Sequence, residues 1–170
     1  MTDAAASNDF PRSAAIMEVL PLSLVDGVIR LLLLADMPLQ VGWHAEVHPN
    51  EVACRLVAEF GLTPVIAHST SWRHEPHRVI LTYAAIVEPP EDLPHMLSVR
   101  PVERRDLARG SALRAPAAIG VAQVVEHALR HLSWLTRDDE HIRGALDEPW
   151  LRALADYPPE PFRPFEGSSA

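Results

Sequence analysis

At 170 residues, with a formal charge of −8 and one cysteine, the chain has room for a single domain with a sizeable core and lacks the basic surplus of a nucleic-acid binder. Cys54 alone makes neither an internal disulfide nor a multi-thiolate metal centre, which places the chain in a reducing compartment, the cytoplasm by default. Apolar runs such as Leu31 to Ala35 fall far short of the roughly 20 residues of a membrane span, so no membrane partner is expected.

Residues 1–13 are small, polar and weakly patterned and read as an N-terminal tail, followed by one domain over 14–157 and a Pro-rich tail over 158–170. Residues 16–36 admit two readings. Val28 to Leu34 suits a fully buried strand, whereas Ser23 as a cap with Leu24, Val28, Leu32 and Ala35 fits a helix, and the helix is preferred. From Leu39 to Val47 apolar residues alternate with polar ones, the period of a half-buried strand. Pro49-Asn50 breaks that alternation. Asn50 as N-cap, Glu51 in the first turn, an apolar stripe of Val52, Leu56, Val57 and Phe60, and the stop at Gly61 predict a helix over 50–60.

Two β-branched and aromatic arms, 64–72 and 77–88, flank the polar turn Arg73-His74-Glu75-Pro76 and predict a hairpin. The second arm is apolar on both alternating sets and reads as a central strand. Residues 89–94 form a Pro-rich loop, and the Arg-rich 99–114 allow a short helix. Val121, Val125, Ala128, Leu132 and Leu135 recur at helical spacing, Asp138 or Asp139 can cap a second helix, and Asp147 ahead of Pro149 starts a third. The expected fold class is therefore α+β: a small mixed or antiparallel sheet packed by one short helix and a C-terminal helical segment.

Chemistry-bearing residues gather in three places. Glu46, Leu56, Glu59, Gly61 and Leu62 stand at the spacing of a pattern that resembles the signature of the Nudix hydrolase superfamily, Gly-x5-Glu-x7-Arg-Glu-apolar-x-Glu-Glu-x-Gly-apolar. The same register puts Gln40 in place of the first Gly, Cys54 and Arg55 in place of Arg-Glu, and Ala58 in place of a metal-binding Glu. The resemblance implies a Nudix-like domain that binds a nucleotide or another diphosphate-containing ligand. It also implies Mg²⁺ or Mn²⁺ on Glu46 and Glu59, with hydrolysis weak or absent because divalent cations need more carboxylates than these two.

His68 to Arg73 crowds hydroxyls, an indole and a guanidinium at a strand end. In that reading Trp72 stacks on a base, Arg73 pairs with phosphate and Tyr83 completes the ligand pocket. His127 and His131, four apart on one helical face, with His141 beyond them, form a candidate Zn²⁺ set that lacks the His-Glu-x-x-His order. The alternative to a ligand-binding domain is a non-enzymatic interaction or assembly module whose apolar helix face and Pro-rich tail make a homodimer.

Overall fold

The computed structural model describes residues 14–34, 38–43, 46–92, 97–102 and 120–157. Six strands, β1 (Ala14–Val25), β2 (Val28–Leu34), β3 (Leu39–Trp43), β4 (Pro64–Glu75), β5 (Arg78–Val87) and β6 (Leu97–Pro101), form one sheet in the order β4-β5-β1-β2-β6, with β3 also paired to β1. β1 runs parallel to β5 and antiparallel to β2 and β3, so the sheet is mixed and the fold is α+β. Both tails, and the Arg-rich stretch beyond residue 102, lie outside the described residues.

The helix expected over 16–36 is instead the hairpin of β1 and β2. Its cause is a two-residue turn at Asp26-Gly27, with φ of 53° and 74°, the left-handed pair that matches the twist of a tight hairpin. β1 then feeds two cores at once. Met17 and Val19 pack on one face of the sheet, Leu20 and Leu22 on the other, and all four are fully buried. One edge of β1 is shared. β3 pairs with Ala15 to Val19 and β2 with Leu22 to Val25, and Pro21, which has no N–H to donate, falls between the two ladders.

Helix α1 (Pro49–Glu59) covers one face through Val52, Ala53 and Val57. Its N-cap is His48 and not Asn50: the His48 Nδ1 accepts from the Asn50 N–H at 3.3 Å, and Pro49 enters the first turn, where its missing N–H costs nothing. The other end closes as a Schellman motif. Gly61, at φ +75°, donates to the Ala58 carbonyl at 2.9 Å, and Leu62 donates to Val57 at 3.2 Å while burying its side chain in the same core as Val57.

The opposite face carries α2 (Val121–Asp138), α3 (Glu140–Ala145) and α4 (Glu148–Ala155). Val124, Val125, Ala128, Leu129 and Leu132 of α2 and Trp150 and Leu154 of α4 pack with Leu20, Leu22, Ala84 and Ile86. Asp139 caps α3 through the His141 and Ile142 N–H groups, and Asp147 caps α4 through Trp150. β5, covered on both faces, is buried from Thr82 to Val87. The hairpin before it turns at Pro76-His77, with His77 at φ 67°, so β4 runs on through Arg73, His74 and Glu75. The first residues of the Arg-rich segment, 99–101, belong to strand β6, which is held on Arg30 to Leu34.

Candidate functional site

The pleat of β4 decides what its end can do. Across the ladder Trp72 pairs with Leu81 and Arg73 with Ile80, so neighbouring side chains point to opposite faces. Trp72 stands on the α1 side, 70% exposed, in line with half-buried Leu81, buried Met17 and half-buried Val41. One step outward on β3, Trp43 anchors its indole N–H on the Val47 carbonyl at 3.0 Å. The result is an apolar shelf at the end of the sheet with an indole at each margin.

Tyr83 lies one step inward on the same face, 5% exposed, opposite Ser69 across the ladder. Burial pushes its phenol pKa up, so it stays neutral and serves as a wall of the shelf. Cys54, on α1, is likewise pushed up by burial and rests as a thiol.

Arg73 belongs to the other face. Its Nη1 and Nη2 donate to the two Glu18 carboxylate oxygens at 2.7 and 2.8 Å, and Nη1 also reaches the Thr82 hydroxyl at 3.2 Å. Thr82 donates to Glu18 at 3.2 Å, and Gln40 donates to it from β3 at 3.2 Å. Glu18 and Thr82 are buried in the sheet centre, and the register that pairs Glu18 with both Gln40 and Thr82 aligns this polar row. Hydrogen bonding to Glu18, ahead of the Coulomb attraction, pushes the Arg73 pKa further up. Trp72 and Arg73 therefore do not share a pocket, and the Arg73 guanidinium is already matched to a carboxylate.

Glu46 sits in the turn before α1 and Glu59 ends that helix, and both are exposed. Ala58 and Arg55 are exposed beside Glu59, where further carboxylates would have to stand. Among the described residues no three His, Cys, Asp or Glu side chains converge on a common point.

His131 packs its ring 5.6 Å from His68 of β4 and 5.6 Å from Trp134, while His127 and His141 are exposed. Burial, with smaller contributions from His68 and His127, lowers the His131 pKa. The His68 contact was missed in the sequence because it depends on where α2 docks. Glu18, the centre of the polar row, was missed because its partners lie on three other strands. The signal for it was a lone carboxylate in an otherwise apolar strand, Met17-Glu18-Val19-Leu20, since a buried charge needs a partner.

No protein-family model matches the chain, and no curated protein does. Among solved structures it is similar to the crystal structure of Shewanella oneidensis NrtR, at 13% identity and a TM-score of 0.49 over 85% of this chain and 79% of that one.

Proposed function

We propose that this chain is a Nudix-like domain that binds a nucleotide or another diphosphate-containing ligand through an aromatic moiety laid against Trp72, and that it hydrolyses that ligand weakly or not at all. The observation that carries the reading is the exposed Trp72 indole at the margin of the apolar shelf, on the face where α1 packs. An indole held on a rigid strand offers a planar ligand stacking area at little cost in side-chain entropy. Tyr83 supports the shelf from below; Arg73, on the opposite face, is a positioning residue that stiffens the end of β4. The weak or absent turnover follows from Ala58 and Arg55 beside Glu59, which leave too few carboxylates to hold Mg²⁺ or Mn²⁺ and activate water.

A thermal-shift panel of nucleotides, dinucleotides and nucleotide sugars tests this, run with and without Mg²⁺ and repeated on Glu59→Gln. A ligand at about a hundred times its dissociation constant stabilises the fold by about 2.7 kcal/mol. The expected result is a shift that survives both omission of Mg²⁺ and Glu59→Gln. A shift that needs the cation and vanishes in Glu59→Gln would instead indicate a working hydrolase site, and a flat panel would remove the nucleotide reading.

A second reading, a homodimer, is favoured by one observation. β4 ends the described sheet order on one side, is twelve residues long, and exposes Val65 at 41% as well as Trp72. Light scattering across a concentration series separates the two readings.

A further inference from the structure

We propose that Ser23 and Arg30 form an oxyanion-binding site on the α1-side face of the β1–β2 hairpin, distinct from the Trp72 shelf. Ser23 pairs directly with Arg30 in the antiparallel ladder, so the two side chains stand together on one face. That face is opposite Leu22, Ile29 and Leu31, which all enter the core beneath α2. Ser23 is completely buried, yet its hydroxyl has no hydrogen-bond partner among the described residues; the Arg30 Nε is buried and has none among them either. Arg30 also has no ion pair to any described residue.

Buried polar atoms without partners on two cross-strand neighbours are rare, because each forfeits its hydrogen bonds to water. Their chemistry specifies what would satisfy them. Arg Nε can only donate, a Ser hydroxyl can donate, and the guanidinium carries a permanent positive charge, so the matching group is an anionic oxygen acceptor. The guanidinium's planar fork suits a phosphate or a carboxylate. Val28 and Val99, 40% and 38% exposed, lie on the same face beside Arg30 and give the site an apolar rim. The ligand class is thus a small molecule with an oxyanion head on a partly apolar body. Ser23 is six residues along β1 from Met17, ~20 Å at strand rise, so one head group cannot span both sites.

Thermal melts of the full chain, with sodium phosphate, sodium acetate or sodium chloride at matched pH and ionic strength, test the proposal. Phosphate or acetate is expected to raise Tm by about 3 °C over chloride, and Arg30→Met to abolish that rise. A response to phosphate alone assigns a phosphate head, and a response to acetate assigns a carboxylate. Should Arg30→Met fail to fold, Ser23→Ala carries the test: it leaves the charge in place and weakens the titration midpoint roughly tenfold, the worth of one hydrogen bond to a charged group. No rise over chloride in the wild type, or equal rises in the wild type and both variants, would overturn the site.

Discussion

The Arg73 guanidinium grips the Glu18 carboxylate with two parallel bonds of 2.7 and 2.8 Å across 55 positions of sequence. This pair ties the end of β4 to the centre of β1 through the intervening β5, where Thr82 bridges both partners. With the Glu18 side chain 4% exposed, loss of Arg73 leaves a carboxylate in the sheet with, among the described residues, only Thr82 and Gln40 as donors. Arg73→Met is expected to lower unfolding stability by about 3 kcal/mol, and Glu18→Gln/Arg73→Met by clearly less than the sum of the single changes. Urea denaturation of the four proteins in the cycle checks this, and additivity would show that the pair is not coupled.

Gly61 offers a cleaner backbone test. A Cβ there would meet nothing within 4 Å, so Gly61→Ala is opposed only by its φ of +75° and should cost about 1 kcal/mol. Gly42, also with open space around it but without a left-handed φ, serves as the control: Gly42→Ala should raise stability by about 0.5 kcal/mol by restricting the unfolded chain. Denaturant midpoints of the two variants should move in opposite directions.

His131 makes the fold sensitive to mild acid. Its pKa is lowered in the folded state, so the unfolded chain takes up this proton more readily, and stability falls as pH drops through the unfolded value near 6.5 toward the folded one. The wild type should therefore lose more Tm between pH 7.5 and 5.5 than His131→Gln does. Equal losses would mean that His131 contributes nothing to the acid response.

Trp72 should be energetically silent in the free protein. At 70% exposure it buries little area, so Trp72→Phe is expected to change stability by less than about 0.5 kcal/mol. The same variant should lose most of the acrylamide-quenchable fluorescence, because Trp150 is buried and Trp43 is half-buried with a bonded indole. Trp134, 42% exposed, accounts for the remainder.

What was legible in the sequence was local. The stop of α1 at Gly61, the Asp147 cap, a cap at Asp138 or Asp139, the β4–β5 hairpin and the apolar stripe of α2 each follow from a few neighbouring residues, and the α+β class follows from their order. The helix expected over 16–36 arose because β1 is covered on both faces. Met17 and Val19 feed one core, Leu20 and Leu22 the other, and the resulting mostly apolar run, interrupted at Glu18 and Ser23, has no period of two to give it away. Asp26-Gly27 was the available signal, a strong hairpin turn between two apolar runs. The site divided the same way. Trp72 could be singled out as a candidate from its neighbours, but that Arg73 faces away from it and meets Glu18 depends on pairing between β4, β5 and β1, which no local pattern encodes.

The most direct test of ligand binding at Trp72 is a fluorescence titration of the wild type and Trp72→Phe with the best nucleotide or nucleotide sugar from the thermal panel. It is done in Mg²⁺-free buffer and then with Mg²⁺ while phosphorus NMR follows the ligand. Saturable quenching is expected in the wild type and none in Trp72→Phe, with no sustained release of cleavage products once Mg²⁺ is added. Equal titrations in the two proteins, or steady cleavage of the diphosphate once Mg²⁺ is added, would contradict it.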